Sequence, residues 1–360
     1  MMRAALALAR RSLGSTWPNP AVGCVIVRDG QVVGRGRTQK GGRPHAETQA
    51  LAEAGDRAAG ATVFVTLEPC AHHGRTPPCA EALVAAGVAR VVSALEDPDP
   101  RVKGQGHERL RAAGIAVEIG EGADEAREIN AGFLLRVAEG RPLFRLKMAT
   151  SLDGRIATAS GESRWITGEA SRRDGHRLRA THDAILVGSA TAAADNPSLT
   201  CRLPGMRHRS PVRLVLDSKA GLDPDSVLAT TAREVPTWIM CTSAAPAGRR
   251  DALQAAGVEV MEVPASSDGR IDVPAAARAL GDRGLTRVLV EGGGQVAAAF
   301  LRAGLVDRIT SYRAGLVLGS EGRSAVGQMA VERLGFAPRF RLQSVRRLGD
   351  DTVESWIRGA

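Results

Sequence analysis

The first third of the chain alternates segments typical of β-strands with segments typical of α-helices. Residues 24–36 (CVIVRDGQVVGRG) have the pattern of a hairpin, with Asp29-Gly30 as its turn. Helices are predicted at 44–55, 78–87 and near 105–113, and strands at 62–67, 89–95 and near 116–119. This βαβα order predicts a sheet covered by helices on both faces, which is an α/β fold.

A second α/β series follows a helix predicted over residues 123–140. It begins with LFRLKMATSLDGRIAT at 143–158. Further strands are predicted at 183–189, 211–218, 237–242 and 287–293, a helix at 294–304 and a closing hairpin at 340–359. A chain of 360 residues is long for one domain. Because Arg141-Pro142 is a suitable boundary, we expect one domain over residues 1–141 and another over residues 142–360.

A histidine, a glutamate and two cysteines fall at the ends of elements in the first series: His45, Glu47, Cys70 and Cys79. His-x-Glu followed by Pro-Cys-x-x-Cys is typical of zinc deaminases. The histidine and the cysteines are ligands that zinc prefers, and three ligands leave the fourth position for water. A helix N-terminus also lowers the pKa of a thiol, which favours a thiolate at Cys79. We therefore predict one catalytic zinc ion bound by His45, Cys70 and Cys79.

Glu47 is the candidate catalytic residue. Zinc lowers the pKa of its water, so that hydroxide forms near neutral pH and attacks an amidine carbon of an aminopyrimidine-like ring. Glu47 would take the water's proton and deliver it to the ring nitrogen and then to the departing amine. Since Glu47 follows His45 by two residues, both can face one pocket only at an irregular first turn of the helix.

The two cysteines are further apart than in the Cys-x-x-Cys pattern, because eight residues separate Cys70 from Cys79. The segments WPNPAVGC, PHAE and TLEPCAHHGRTPPC resemble the deaminase half of the bifunctional riboflavin-biosynthesis deaminase/reductase family. The resemblance implies a cytidine-deaminase-like α/β/α domain at the N-terminus. It also implies that the long loop between the cysteines reads the substrate.

The same resemblance implies a substrate set in this domain of Asn19, His72 and Arg75, with Arg75 near a ribose phosphate. A guanidinium suits phosphate recognition. The family commonly has a histidine where this chain has Thr38. The departure leaves open whether this family contact to the substrate is kept, and it does not affect the metal ligands.

The C-terminal half contains a glycine-rich turn, VLVEGGGQVA at 288–297, between a predicted strand and a predicted helix. Residues 292–297 match Gly-x-Gly-x-x-Ala, and a helix N-terminus attracts phosphate. The turn lies late in the domain, however, and no acidic residue follows at the spacing that a ribose hydroxyl needs. We therefore do not expect a Rossmann domain, and the residues alone leave a nucleotide-binding and a packing role open.

The segments LKMATSLDGRIAT, SGESRWIT, ATAAADNPSLTCR, LVLDS and VEGGG resemble the reductase half of the same family. The resemblance implies a dihydrofolate-reductase-like α/β domain that uses NADPH to reduce the ribosylamino sugar to a ribitylamino chain. It implies a cofactor set of Ala149, Trp165, Thr191, Asp195, Ser218, Gly292, Gly293 and Gly294. It implies a substrate set of Lys147, Ser163, Arg179, Leu199, Arg202 and Glu291. The expected order of reactions is deamination of 2,5-diamino-6-ribosylamino-4(3H)-pyrimidinone 5′-phosphate, followed by reduction of the ribosyl group of the product.

The net charge of +9 comes almost entirely from arginines spread along the chain. Without a basic run, and with only 3% aromatic residues, stacking on nucleic-acid bases is not expected. No apolar run reaches the roughly 18 residues that span a membrane, and the first residues lack the features of a signal peptide. We expect a cytoplasmic enzyme of phosphorylated pyrimidines with neither nucleic acid nor membrane as partner. The family resemblance implies a homo-oligomer, a dimer or a tetramer.

Two other interpretations stay open. One is a nucleoside or tRNA deaminase with an unrelated appended domain, against which the long cysteine loop argues. The other is a structural zinc module with a nucleotide-sensing domain, which would need a fourth protein ligand such as Cys24. The histidines outside the motifs have no comparable context and are predicted at the surface: His107, His176, His182 and His208.

Overall fold

The computed structural model describes residues 1–72, 77–99 and 102–359. Two units divide the chain, Met1–Gly140 and the segment from Arg141 onward. Over the described residues, the helices are α1 (Met2–Arg10), α2 (Ala46–Ala54), α3 (Cys79–Ala85), α4 (Gln105–Ala112), α5 (Ala123–Glu139), α6 (Glu169–Ala180), α7 (Ser189–Asp195), α8 (Val227–Thr230), α9 (Ala247–Ala255), α10 (Val273–Asp282) and α11 (Gly294–Arg302). The strands there are β1 (Gly23–Arg28), β2 (Gln31–Arg37), β3 (Thr62–Val65), β4 (Arg90–Ser93), β5 (Ala116–Ile119), β6 (Leu143–Thr150), β7 (Arg155–Ala157), β8 (Ala184–Gly188), β9 (Val212–Leu216), β10 (Thr237–Cys241), β11 (Glu259–Glu262), β12 (Arg287–Val290), β13 (Val306–Arg313), β14 (Arg323–Ser324), β15 (Phe340–Leu348) and β16 (Asp351–Arg358).

In the first unit, the described residues form a five-stranded sheet in the order β2-β1-β3-β4-β5. Strand β1 is antiparallel to β2 and β3, whereas β3, β4 and β5 are parallel. The chain turns from β1 to β2 at Asp29 and Gly30, whose φ angles are 50° and 75°. Two positive φ angles are typical of a tight hairpin turn whose twist matches that of the strands. The predicted hairpin is confirmed.

Helices cover both faces of this sheet. A Cβ at Gly23 would lie 1.9 Å from the carbonyl oxygen of Ala5 in α1, and one at Gly36 would lie 1.9 Å from that of Ala46 in α2. Gly36 pairs with Cys24, the neighbour of Gly23 in β1. Since consecutive residues of a strand point to opposite faces, α1 and α2 lie on opposite sides. The predicted α/β sheet with helices on both faces is confirmed.

The second unit is built on a larger sheet. Within residues 141–359 it has nine strands in the order β11-β10-β9-β8-β12-β6-β13-β16-β15. The strands from β11 to β13 in this order are parallel, and β16 and β15 add antiparallel at the edge. The closing hairpin is confirmed. The sequence pattern did not predict β11 and β13.

Aliphatic side chains fill both units. Every residue of β8 and β12 is buried, as expected for parallel strands covered on both faces. In the second unit, the rings of Phe144 and Phe300 pack with their centroids 4.9 Å apart. No helix within the described ranges is both long and apolar enough to cross a bilayer.

Two histidines contradict the prediction that they lie at the surface. His107 is 1% exposed and His182 is 2% exposed. Burial lowers the pKa of His107, and burial together with the charges of Arg145 and Arg287 lowers the pKa of His182 to about 3. Both rings are therefore neutral at physiological pH, and both belong to the interior. His176 is half-buried and His208 is exposed.

Candidate active sites

The structure brings the predicted zinc ligands together. Nδ1 of His45 lies 3.3 Å from Sγ of Cys79 and 3.7 Å from Sγ of Cys70. The main-chain N–H of Cys79, the first residue of α3, donates to Sγ of Cys70 at 3.3 Å. The three ligand atoms lie within 4.8 Å of one another. One nitrogen and two sulfurs around a common point suit zinc with one position open.

Glu47 lies beside this set because the first turn of α2 is irregular. His45 is the N-cap of α2 with extended backbone angles, φ −69° and ψ 161°, so its side chain does not follow the helical spacing. Glu47 occupies the first turn and is 3% exposed. Burial raises the pKa of Glu47 to about 7. A carboxyl group with that pKa can both accept and release a proton near neutral pH.

The thiols of the set differ in acidity. Hydrogen bonds from the Cys79 thiol and from His45 lower the pKa of Cys70 to about 4. The hydrogen bond to Cys70 and burial raise the pKa of Cys79. Cys70 is therefore the thiolate of the pair before metal binds, and a bound cation would favour the second thiolate.

Cys24 does not complete a four-ligand site. The ligand set in the described part of the chain contains His45, Cys70 and Cys79 without it. Cys24 is a buried free thiol in β1, and burial and the charge of Glu47 raise its pKa. The structural-zinc interpretation, which depended on this residue as fourth ligand, therefore loses its support.

Of the predicted substrate residues in the first unit, the structure describes Asn19 and His72. Asn19 is half-exposed, and its side chain packs against Gly42, where a Cβ would lie 1.8 Å from Nδ2. Its Nδ2 donates to the carbonyl oxygen of Gly41 at 3.5 Å. His72 is exposed, and Arg75 lies outside the described residues. Their contacts to a substrate stay predictions.

Thr38, which stands where the family commonly has a histidine, forms hydrogen bonds within the protein. It is 3% exposed, and its hydroxyl accepts from the main-chain N–H of Val22 at 2.9 Å. Its carbonyl oxygen accepts from the hydroxyl of Ser12 at 2.7 Å. The first bond joins the residue after β2 to the residue before β1, and the second joins it to the turn after α1, so Thr38 supports the hairpin.

In the second unit, several predicted cofactor residues lie at the carboxyl ends of neighbouring parallel strands. Thr191 is in α7, which directly follows β8; Ser218 follows β9; the turn 292–294 follows β12. These strands are adjacent in the order β9-β8-β12. Ligands of open α/β sheets bind in the crevice outside the carboxyl ends of the strands. The topology therefore collects these residues at one edge of the sheet.

The glycine turn has a packing function of its own. Gly293 donates its main-chain N–H to the hydroxyl of Thr191 at 3.1 Å. A Cβ at Gly294 would lie 2.7 Å from the carbonyl oxygen of Ser324, and the carbonyl oxygen of Gly294 accepts from Gly327 at 2.8 Å. A Cβ at Gly292 would meet Val296 at 3.0 Å. The packing role is thus present, and a cofactor role of the turn stays a prediction.

Three predicted substrate residues form one charged group. The guanidinium of Arg179 donates twice to the carboxylate of Glu291, each time at 2.9 Å, and Nζ of Lys147 lies 3.9 Å from Oε2 of Glu291. Burial by itself would raise the pKa of Glu291, but Arg179 and Lys147 together lower it to about 2. The carboxylate is therefore ionised, and it fixes the two cations at the end of β12.

Arg202 is bound to His176, a histidine predicted at the surface. Its main-chain N–H donates to Nδ1 of His176 at 3.3 Å, and its Nε lies 3.3 Å from Nε2. Burial and the charges of Arg179 and Arg202 lower the pKa of His176 to about 4. A neutral ring thus lies between two arginines. The signal that could have found it is its position one helical turn before Arg179 in α6.

The remaining predicted residues have different settings. Trp165 is 64% exposed, and the guanidinium of Arg172 stacks over its ring at 4.6 Å. Leu199 has a left-handed backbone, φ 52°, and its side chain is buried in the core. Any contact of Leu199 to substrate would therefore come from its main chain. Ser163 is half-buried, Asp195 ends α7, and Ala149 pairs with Tyr312 across β6 and β13.

Two family models match the chain. The cytidine and deoxycytidylate deaminase zinc-binding region matches residues 1–95, and the RibD C-terminal domain matches residues 142–354. The second match contradicts the interpretation in which the appended domain is unrelated to the deaminase.

Known proteins are similar to this chain over nearly its whole length. The riboflavin biosynthesis protein RibD of Escherichia coli is 44% identical, over 97% of this chain and 96% of that protein. The structure of Acinetobacter baumannii RibD, form 1, has a TM-score of 0.89 and 41% identity, and covers 100% of this chain and 98% of its own. A diaminohydroxyphosphoribosylaminopyrimidine deaminase/5-amino-6-(5-phosphoribosylamino)uracil reductase from Thermotoga maritima has a TM-score of 0.86 and 32% identity, with 99% and 97% covered.

Proposed function

Because this chain belongs to the RibD family of bifunctional riboflavin-biosynthesis enzymes, we propose that His45, Cys70 and Cys79 hold its zinc and that Glu47 moves its protons. The enzyme is a zinc-dependent deaminase and an NADPH-dependent reductase in riboflavin biosynthesis. The observation that carries the assignment of residues is the convergence of the three ligand atoms within 4.8 Å of one another.

The two activities are proposed to occupy separate parts of the chain. We assign the deaminase to residues 1–141 and the reductase to residues 142–360. In support, the family models match residues 1–95 and 142–354, and the structural units divide after Gly140.

The deaminase half would act on 2,5-diamino-6-ribosylamino-4(3H)-pyrimidinone 5′-phosphate. Zinc, when bound, acts as a Lewis acid that makes hydroxide available near neutral pH. Glu47 would accept one proton of the attacking water and pass it to the ring nitrogen. It would then take the remaining proton, from the new hydroxyl group on the ring carbon, and pass it to the departing amine, which leaves as ammonia. Its raised pKa suits both transfers. Its burial keeps bulk water away from the proton it carries. The product is the corresponding pyrimidinedione, with release of ammonia.

Substrate recognition in this half is proposed for Asn19, His72 and Arg75. Asn19 is fixed by its contact with Gly42, while His72 is exposed and free to approach a ligand. Arg75 is assigned to the ribose phosphate because its guanidinium can form two parallel bonds to phosphate oxygens.

In the reductase half, we propose that Lys147, Arg179 and Glu291 orient the pyrimidine and ribosyl groups, with Ser163, Leu199 and Arg202 completing the substrate set. The fixed group of Arg179, Lys147 and Glu291 supports this assignment because it presents charged groups that need no rearrangement. NADPH supplies the hydride when bound. The chain's task is to hold the sugar carbon against the nicotinamide.

The proposed cofactor set is Ala149, Trp165, Thr191, Asp195, Ser218, Gly292, Gly293 and Gly294. Thr191, Ser218 and the turn 292–294 are assigned to it because they follow adjacent strands at the same edge of the sheet. The N-terminus of α11 at Gly294 offers main-chain N–H groups to a phosphate of the cofactor.

We also propose a cytoplasmic homo-oligomer, a dimer or a tetramer. Strand β15 is the edge of the nine-stranded sheet and is exposed along most of its length. Just before it, Leu334 is 85% exposed and Phe336 is 74% exposed. Such apolar exposure at a sheet edge favours association. Light scattering of the purified protein tests this, and a monomer at micromolar concentration would contradict it.

The assignment of function to residues is tested with the purified enzyme, the diaminopyrimidine ribosyl phosphate and NADPH. Wild type should release ammonia and oxidise NADPH. Glu47→Gln should do neither from this substrate but should oxidise NADPH at the wild-type rate with pre-deaminated substrate. If wild type releases ammonia but oxidises no NADPH with either substrate, residues 142–360 do not form the proposed reductase.

A further inference from the structure

The carboxylate of Glu68 lies two residues before the zinc ligand Cys70 and is unused in the chemistry above. Its side chain is completely buried. Oε2 accepts from the main-chain N–H groups of Asp97 and Gly104, each at 3.0 Å. Oε1 accepts from those of Gly106 at 2.8 Å and His107 at 3.3 Å. One side chain thus binds four main-chain donors from a segment that lies about thirty to forty residues further along the chain.

Three of these donors belong to the start of α4. Gly104 is its N-cap, and Gly106 and His107 lie in its first turn. The first N–H groups of a helix have no partner within the helix, and a carboxylate there is favoured by the helix dipole. Gly104 has no side chain to cap the helix. Glu68 supplies the cap from another segment of the chain.

Most residues from Thr66 to Cys70 form a hydrogen bond or a close packing contact with another segment of the chain. The hydroxyl of Thr66 accepts from the N–H of Gly23 at 3.1 Å. After Glu68, Pro69 meets Gly106 so closely that a Cβ on Gly106 would lie 2.0 Å from the Pro69 carbonyl oxygen. Cys70 then accepts from the N–H of Ala80 at its carbonyl oxygen, at 3.1 Å.

Cys70 is thus fixed from two sides. Its thiol and carbonyl oxygen are bound to the start of α3, and the residues before it are bound to the start of α4 through Glu68. Zinc affinity depends on holding the ligands at the right separation before the metal binds. The spacing between Cys70 and the other two ligands therefore depends on the Glu68 contacts.

We propose that Glu68 is a positioning residue of the deaminase, which anchors the loop carrying the zinc ligand Cys70 to the N-terminus of α4. This inference rests on the proposed zinc site. Glu68 does not touch the metal or the substrate, and it acts through the main chain of residues 68–70.

A second use of the same cluster is a cation site, since ligand atoms of Glu68, Glu96 and His107 lie within 4.8 Å of one another. Both oxygens of Glu68 already accept two N–H donors each. A cation there would compete with these four bonds. The geometry favours the anchor, and Glu96, which is exposed, provides the control that separates the two.

The test compares Glu68→Gln with Glu96→Gln in the full-length, zinc-loaded enzyme. A glutamine keeps the shape of the side chain but turns its NH₂ group towards two of the four N–H donors. We expect Glu68→Gln to bind zinc about 10–100-fold more weakly than wild type, as is typical when a support of a metal ligand is removed, and therefore to lose zinc faster to a chelator. The ligand-field spectrum of the cobalt-substituted variant should also change, since it reports the geometry of the sulfur and nitrogen ligands.

Deaminase kcat of Glu68→Gln should fall by a similar factor, while NADPH oxidation with pre-deaminated substrate stays at the wild-type rate. Glu96→Gln should match wild type in every measurement. If Glu68→Gln only lowers the melting temperature and leaves zinc release and the cobalt spectrum unchanged, the proposal is overturned. If Glu96→Gln loses metal as Glu68→Gln does, the cluster itself binds a cation and the proposal is overturned as well.

Glu68→Asp keeps the inference testable if the glutamine variant does not fold. Its carboxylate is shorter and cannot reach all four donors, so zinc release should lie between those of wild type and Glu68→Gln; a wild-type rate and spectrum would refute the anchor. A wild-type enzyme that binds no zinc overturns the proposed zinc site and this inference with it. If wild type binds zinc but substitution of Glu68 changes neither zinc release nor the cobalt spectrum, only this inference is overturned and the proposed zinc site stands.

Discussion

Because of Glu291, the second unit should lose stability at low pH. The charges of Arg179 and Lys147 lower the pKa of Glu291 to about 2 from an ordinary value of 4.5. Because the folded-state pKa is depressed, the stabilisation is fully present above about pH 4.5 and is lost as the pH falls towards 2. We expect the free energy of unfolding to decline there by at most about 1.4 kcal/mol per pH unit from this group.

Denaturant unfolding of wild type and Glu291→Gln between pH 2 and pH 7 measures this slope. The variant should be less stable at neutral pH, because Arg179 and Lys147 lose their carboxylate partner, and its slope below pH 4.5 should be smaller. Equal slopes in the two proteins would show that Glu291 is not the titrating group.

Thr38 is a second single-residue prediction. Thr38→Val removes the hydroxyl that accepts from the N–H of Val22 at 2.9 Å and leaves that buried donor unpaired. We expect a loss of about 1–3 kcal/mol in the free energy of unfolding of the first unit, with deaminase KM changed less than about twofold. A raised KM at unchanged stability would instead place this hydroxyl on the substrate.

Among single residues, the sequence predicted the arrangement of side chains that share a local motif, but it did not predict which distant side chains contact one another. The spacing of His45 and Glu47 required an irregular first turn, and the extended N-cap at His45 is that turn. Arg179 and Glu291 lie 112 residues apart, and their contact depends on β12 pairing with β8, which no local pattern specifies. The burial of His107 was missed because it depends on the fold around α4.

The packing of helix α2 on strand β2 determines where His45 and Glu47 lie. A Cβ at Gly36 would lie 1.9 Å from the carbonyl oxygen of Ala46, which stands between His45 and Glu47. This neighbour is main chain and cannot turn away. Gly36→Ala should therefore displace the start of α2, at a cost of about 1–3 kcal/mol, and reduce zinc content and deaminase activity without changing the reductase.

The matched control is Gly248→Ala in α9, where a Cβ meets no atom within 4 Å. This variant should retain zinc and both activities and should gain up to about 1 kcal/mol in stability. Zinc content measured by elemental analysis decides the comparison. If Gly36→Ala retains full zinc, α2 tolerates the shift and does not set the position of His45.

Elements with strong local patterns were predicted from the sequence, whereas the sheet order was not. The hairpin of β1 and β2 has alternating residues and a turn dipeptide, both of which are local signals. Strand β13 (VDRITSYR) has polar residues among its buried positions, so its pattern resembles that of an irregular segment. Strand β11 (EVME) has a glutamate at each end, whereas the equally short β12 (RVLV) has an apolar run that indicates a buried strand.

Because the two activities are assigned to different units of the molecule, removing zinc should abolish deamination and leave reduction intact. The proposed metal ligands all lie within Met1–Gly140, and the proposed reductase residues all follow Arg141. Each unit has its own sheet. Chelator-treated enzyme should therefore release no ammonia from the diaminopyrimidine substrate, yet should oxidise NADPH with pre-deaminated substrate at the wild-type rate.

Adding zinc back should restore ammonia release, and NADPH oxidation from the first substrate should return in parallel. A mixture of Glu47→Gln and Arg202→Met should then form the reduced product faster than Arg202→Met alone, because Glu47→Gln offers an intact reductase to the released deaminated intermediate. Arg202→Met should raise the KM of its own reductase, since it removes a charge proposed to bind substrate. If chelation abolishes NADPH oxidation with pre-deaminated substrate, the reductase depends on the metal, and the two units do not act independently.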